Sequence, residues 1–390
     1  MNLLAVTYVV PHPDAVSGAS LVMFGQLKAL AARHEVTLLA FAAAEKQERR
    51  AVAHLRSLGI TVHELGGRWP SALIRWKRRG EHALRRLRHS PPAHSMTRID
   101  PRMQHRIDRL LERQQFDLVH VESIGFGNYR FGPLVPSVLT EHEVGRVHEK
   151  RGIHWRAFQP TIWKQFDRIQ VFTSRDAETV RMLVPELADR VRVNPFGIDI
   201  GMQVDPRRED PNSIVFVGGF RHLPNVDAAS WLAAEIMPLL RSLHAGVRAI
   251  IVGSHPPDEV RALAGRDIDV MADVPAVEPF LEKAAVVVAP VRQGGGMRLK
   301  VLQAMAMGKA VVTTSIGAEG VAAFTERPLT IADDAQRFAG ETAALLADIE
   351  KRRRLGEQAR AFVQAHHTWE AYTERLEAIY AQVAPRRASR

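Results

Sequence analysis

Two series of short apolar segments, each segment separated from the next by a stretch with helical spacing, constrain this chain more than any other feature. The first series holds LLAVTYVV (3–10), EVTLLAFA, FDLVHVES and PSVLTEHE. The second holds SIVFVGGF (213–220), VRAIIVG (247–253), IDVMADV (268–274), AAVVVAPV (284–291) and KAVVTTS (309–315). Strands alternating with helices form parallel sheets through right-handed crossovers. Between the series, NPFGIDIGMQVDPRREDPNS is rich in Pro, Gly and charge and reads as a linker. At 390 residues the chain exceeds one ordinary core. The expected architecture is α/β: two Rossmann-like domains with parallel sheets facing a central cleft, over residues 1–194 and 213–365, joined by a linker at 195–212, with 366–390 as a terminal segment.

In such sheets ligands sit beyond the carboxyl ends of the strands, so the loops there are the candidate sites. AAVVVAPV is apolar enough for a buried strand, and MRLKVLQAMAM ends at Gly308, a helix stop. Gly294, Gly295 and Gly296 therefore lie between strand and helix. Glycine lets backbone approach a ligand closely, and a helix start offers unpaired N–H groups with the positive end of the dipole. Arg298 and Lys300 fall in the first turn, where a cation is unfavourable unless an anion compensates. A second strand–glycine–helix passage, IVFVGGFRHLPNVDAASWL, carries Gly218, Gly219 and Arg221, with a helix beginning near Asn225. Two glycine loops with basic residues in one domain point to a nucleoside diphosphate; a solvated surface loop is the bland alternative.

In the first half, VVPHPDAVSGAS carries Gly18 at the entry to a helix. His142 ends a strand between Glu141 and Glu143, where a titratable ring beside carboxylates is a candidate for chemistry. His120 lies mid-strand and reads as buried and satisfied by a neighbour. His366 and His367 precede Thr368, a candidate N-cap, and read as surface residues. No P-loop, dinucleotide fingerprint, zinc-protease motif or nucleophile elbow is present.

The chain has no cysteine, which removes disulfides and thiolate chemistry and fits a reducing cytoplasm. No apolar run approaches the roughly 20 residues of a membrane span, and the N-terminus lacks a basic signal-peptide region. The formal charge is +10, with 30 Lys+Arg against 20 Asp+Glu in residues 1–200 and 23 against 23 in 201–390. Such an excess in one half suits an anionic membrane surface or a charged acceptor, or reflects an Arg-rich composition. Nucleic acid is disfavoured, since no aromatic platform or recognition helix is evident. Residues 69–88, WPSALIRWKRRGEHALRRLR, combine an apolar stripe with seven basic residues against Glu81 alone, a pattern suited to an anionic membrane interface.

FDLVHVES, VLTEHE, FVGGFRHLPNVDA, VEPFLEKAAVVVAPVRQGGGMRLKVLQAMAMGKAVVTTSIGAEGV and TWEAYTERLEAIY resemble a retaining nucleotide-sugar glycosyltransferase of family 4, with the GT-B fold, in its glycine-rich-loop branch. The resemblance implies a donor site in the second domain, an acceptor site in the first, and a last helix at 366–390 crossing back to the first domain. It implies a nucleotide diphosphate sugar as donor, an unknown acceptor, and no metal or other cofactor. Catalysis would then fall to His142, near the transferred sugar, and to Arg221 and Lys300, which neutralise the diphosphate. Donor binding would involve Gly18, Gly218, Gly219, Gly295, Gly296, Met297, Arg298 and Leu299, with Val274 bordering the base and Gln303 at the ribose. The family has carboxylates where this chain has Gly295 and Gln303; an amide at Gln303 accepts one hydrogen bond and donates others. A noncatalytic nucleotide-sugar binder and an epimerase of the same fold are the rival expectations.

Overall fold

The computed structural model describes residues 1–13, 18–42, 46–66, 100–122, 129–132, 135–142, 144, 152–201, 204–205, 208–321 and 328–383. The basic segment 69–88 and Glu143 lie outside the described residues.

Each apolar series forms one parallel sheet. The first contains β1 (Asn2–Thr7), β2 (Glu35–Ala42), β3 (Thr61–Gly66), β4 (Leu118–Glu122), β5 (Ser137–Glu141), β6 (Arg168–Val171) and β7 (Val191–Val193), in the order β3-β2-β1-β4-β5-β6-β7. The second contains β8 (Asp210–Val217), β9 (Arg248–Gly253), β10 (Ile268–Ala272), β11 (Ala284–Ala289), β12 (Ala310–Thr313) and β13 (Thr330–Ile331), in the order β10-β9-β8-β11-β12-β13. Every strand of β4, β5 and β11 is buried along its whole length, as expected where helices cover both faces of a parallel sheet. Both orders reverse direction beside their first strand, at β1/β4 and at β8/β11. Those switch points open the crevices in which doubly wound sheets hold ligands.

The chain divides into two compact units, Met1–Asn194 with Tyr372–Arg390, and Pro195–Ala371. The Pro- and Gly-rich stretch expected as a linker packs within the second unit. Ile198 N donates to His367 O at 2.7 Å, and a Cβ on Gly197 would lie 2.7 Å from Thr368 O, so only glycine fits there. Glu209 pairs with Lys309 at 2.6 Å, and that lysine is 1% exposed. His367, read as a surface residue, is buried, with Nδ1 at 3.2 Å from Phe196 O. Thr368 does cap the next helix: its Oγ1 accepts from Ala371 N at 3.1 Å. The return to the first unit begins within that helix, Trp369–Tyr380, at Tyr372. Among the described residues no helix is long and apolar enough to cross a membrane.

Candidate active site

In the second unit, β8 and β11 pair in register at Ile214–Val286 and Val215–Val287, which sets the two glycine loops side by side at the switch point. The loop after β8 runs through Gly218 and Gly219 into a helix at Leu223–Trp231, slightly earlier than the sequence suggests. Pro224 fits its first turn because the missing N–H would be unpaired there anyway. The loop after β11 ends at Arg298, the N-cap of the helix Leu299–Ala306, and Gly308 past its end takes φ +77°. Gly294 and Gly296 have φ +96° and +79°, a backbone that L side chains rarely adopt, so the turn itself requires glycine at these two positions.

Asn225 ties the loops together. Its Nδ2 donates to Gly219 O at 2.7 Å, and its Oδ1 accepts from Lys300 Nζ at 2.6 Å. Lys300 Nζ also lies 4.6 Å from the centroid of the Phe216 ring. Burial pushes the Lys300 pKa down to about 7, with the Arg298 charge nearby adding to the effect. Arg298 turns back on its own loop, donating to Gly295 O at 2.6 Å, so it braces the turn. Arg292 straps the same loop to the helix Leu223–Trp231, through Asp227 at 2.8 and 3.2 Å and over the Trp231 ring at 4.8 Å. Arg221 is exposed and makes no hydrogen bond or ion pair with another described residue.

The remaining donor-site candidates separate by what their side chains touch. Met297 is 9% exposed and packs under Gly320, where an added Cβ would come within 2.4 Å of Met297 Cγ; only its backbone faces the loop's task. Leu299 is the first helical residue and contributes an N–H at the helix start. Gln303, one turn beyond Lys300, donates through Nε2 to Glu278 Oε1 at 2.8 Å. Val274 is half-buried just past β10. Its neighbour Asp273 has φ +50° and accepts from His255 N at 2.7 Å, which joins the loops after β9 and β10. Gly253 ends β9 so close to the first glycine loop that an added Cβ would meet Gly218 O at 1.6 Å.

In the first unit, Gly18 heads the helix Gly18–Ala31, and His142 follows β5 at its carboxyl end, as expected. The carboxylate that holds His142 is one the sequence does not single out. His142 Nε2 lies 2.7 Å from Glu122 Oε2, on the neighbouring strand β4, whereas Glu141 is buried and accepts from Trp163 Nε1 at 3.2 Å. Side chains alternate faces along a strand, which sends Glu141 away from its neighbour. Burial pushes the Glu122 carboxyl up, and the hydrogen bonds from His120 and His142 more than reverse this, holding it well below the ordinary range. His120 is buried and satisfied, with Nε2 at 2.6 Å from Thr140 Oγ1. The sequence reading placed Asn225 only as a helix start and did not single out Glu122, because no local motif marks their contacts.

Comparison with known proteins bears on the family and the fold. Residues 16–201 match the model of Glycosyltransferase Family 4, and residues 211–348 that of Glycosyl transferases group 1. Comparison with curated proteins gives no match. Among solved structures, Anabaena HepE in complex with UDP and glucose is 13% identical and superposes with a TM-score of 0.69, covering 98% of this chain and 100% of its own. A glycosyltransferase from Rickettsia africae is 12% identical, with a TM-score of 0.67 and 99% of each chain covered. A variant of S. aureus TarM in complex with Fondaparinux, alpha-GlcNAc-glycerol and UDP, 11% identical, has a TM-score of 0.69 over 97% of this chain and 100% of its own. With its two doubly wound sheets and a glycosyltransferase domain matched in each half, the chain is a glycosyltransferase of the GT-B fold.

Proposed function

We propose that the protein transfers a sugar, with retention, from a nucleoside diphosphate sugar held at the loops after β8 and β11. The observation that carries this reading is Lys300, a half-buried cation whose partners among the described residues are an amide oxygen and an aromatic ring. Burial costs such a cation its proton unless an anion arrives, and a diphosphate supplies that anion. Arg221 adds an unengaged guanidinium, and the N–H groups of Gly296 to Leu299 add the helix start. Val274 stands two strand spacings from β8, roughly 10 Å, a span that suits a base at one end and phosphates at the other. The HepE structures holding UDP and UDP-glucose, at the same fold, support a nucleotide sugar as the ligand.

As the sugar–phosphate bond breaks, negative charge grows on the departing diphosphate, and donors already in place stabilise it without reorganisation. Lys300, Arg221 and the helix start fill this role, so turnover is expected to persist in a chelator. In a same-face transfer the departing phosphate takes the acceptor's proton, and no dedicated nucleophile is needed. His142 is assigned to the transferred sugar or the reaction centre. A hexose as the sugar, a glycan, lipid-linked or small-molecule acceptor, and a cytoplasmic protein docked peripherally on anionic membrane through residues 69–88 complete the proposal.

The test is a panel of nucleotide sugars, UDP-glucose first, read by thermal shift and then by donor hydrolysis. A ligand that binds only the native state stabilises it by mass action. The reading requires at least one member to stabilise the protein and to be cleaved. Stabilisation without cleavage by any member, with acceptors supplied, would leave a binding protein.

A further inference from the structure

Glu122 and His142 stand at one end of a directed line of buried hydrogen bonds whose other end is Arg375. A guanidinium only donates, so Asn194 Oδ1 must accept from Arg375 Nε, at 2.9 Å. Asn194 is then turned with Nδ2 toward Gln170 Oε1, at 3.0 Å. Gln170 in turn presents Nε2 to Tyr372 Oη, at 2.8 Å. That leaves the Tyr372 proton for Gln26 Oε1, and turns Gln26 Nε2 toward Glu122 Oε1, at 2.5 Å. Each amide orientation follows from the one before it. Glu122 Oε2 is left facing His142 Nε2 at 2.7 Å.

The line is sealed from solvent: Gln26, Glu122, Gln170, Asn194 and Tyr372 are each 0 or 1% exposed. A branch supports it, since the Tyr380 hydroxyl meets His120 Nδ1, and His120 Nε2 lies 3.0 Å from Glu122 Oε1. Burial raises the Tyr372 and Tyr380 hydroxyls well above their ordinary pKa, so both stay donors. A polar line this deep is costly unless every member is satisfied in one arrangement.

We infer that Glu122 fixes which nitrogen of His142 carries the proton: its carboxylate only accepts and so requires Nε2–H, while the line from Arg375 fixes Gln26 as the donor to the other carboxylate oxygen and holds Glu122 in place as a positioning residue. The inference rests on the reading of His142 as a residue of the reaction centre. Ring orientation and tautomer decide what the second nitrogen can offer a substrate.

The isosteric substitution Glu122→Gln gives a distinctive outcome. Gln26 Nε2 still demands an acceptor, so the new amide must place its oxygen there and its NH2 toward His142. His142 Nε2 then has to accept, and the proton moves to Nδ1. Long-range nitrogen–proton correlation spectra of the full-length protein, well above pH 7, report the tautomer directly, with the signal assigned through His142→Asn. The wild type and Arg375→Met should both show Nε2–H, because a carboxylate only accepts. Glu122→Gln should show Nδ1–H, and the double variant Glu122→Gln with Arg375→Met, which frees the far end of the line, should show both. The same tautomer throughout overturns the inference. Should Glu122→Gln fail to fold, Glu122→Ala removes the acceptor and should leave His142 a mixture of both tautomers, and Nε2–H alone there overturns the inference.

Turnover gives an independent arm. For the donor selected by the panel, Glu122→Gln should lower kcat by at least about tenfold with KM within about twofold, and the double variant with His142→Ala should fall no further than His142→Ala alone. Additive losses overturn the inference even if the tautomer inverts. If the tautomer inverts while His142→Ala leaves kcat unchanged, the reading of His142 fails and takes the inference with it; an unchanged tautomer with a damaged His142→Ala sinks the inference alone.

Discussion

Lys300 Nζ lies 2.6 Å from Asn225 Oδ1, so the cation between the two glycine loops is solvated by an amide. An amide lowers the cost of burial without cancelling the charge, which keeps the site hungry for an anion. A carboxylate at the same place would stabilise the lysine and compete with the ligand. Asn225→Asp is therefore expected to weaken UDP binding by about tenfold or more while changing the melting temperature little, since the new ion pair is offset by loss of the Nδ2 donor to Gly219 O. Calorimetry and titration on one sample check both halves, and tighter binding would contradict the role given to Lys300.

Removing the cations themselves separates charge from fold. Lys300→Ala and Arg221→Ala should each cost about 2 to 4 kcal/mol of transition-state stabilisation, the scale of losing one charge-stabilising donor. Arg221 is exposed and engages no described residue, so its loss should leave the melting temperature unchanged. Single-turnover rates of donor cleavage provide the measurement; turnover equal to the parent's would remove the residue from the mechanism.

Gln303 donates to Glu278 Oε1 at 2.8 Å, and this contact reverses the simplest expectation for Gln303→Glu. A carboxylate at 303 accepts stronger hydrogen bonds from ribose hydroxyls, yet here it would face Glu278. Like charges this close raise the pKa of one carboxyl and push the pair apart. Donor affinity should drop in Gln303→Glu and recover in the double variant with Glu278→Gln. Titrations with UDP across the two variants decide, and a gain from Gln303→Glu alone would show that Glu278 yields freely.

Docking of residues 69–88 is checked with liposomes. At roughly 1 kcal/mol per basic residue near an anionic surface, sedimentation should need anionic lipid and weaken as salt rises. Replacing Arg78, Arg79, Arg85 and Arg86 with Glu should abolish it. No binding at low salt would leave the basic excess of the first half to another anion.

The strands were legible because a parallel sheet covered on both faces needs nearly continuous apolar runs, and AAVVVAPV is one. The glycine loops were legible because their backbone demands glycine at Gly294 and Gly296. The polar partners were not, since they come from distant parts of the chain. Asn225 and Lys300 are 75 residues apart, Gln26 and Glu122 are 96, and Asn194 and Arg375 are 181. No local pattern announces such pairs. His367 shows the same limit: a histidine beside a helix cap looks like surface until the chain from Pro195 folds over it.

Protonation of Lys300 on ligand binding tests the central claim most directly. Its pKa of about 7 lies below the ordinary lysine value of 10.5, so the native state binds fewer protons than the unfolded chain between those values. The charged lysine thus costs the native state stability below about pH 7, and the cost fades as pH rises toward 10.5. A diphosphate favours the charged form and must draw a proton from solution when it binds above pH 7. Isothermal titration with UDP in two buffers of different ionisation enthalpy should show proton uptake for the native protein and none for Lys300→Met, with affinity falling as pH rises. Equal affinity and no proton uptake in both proteins would contradict a diphosphate site at Lys300.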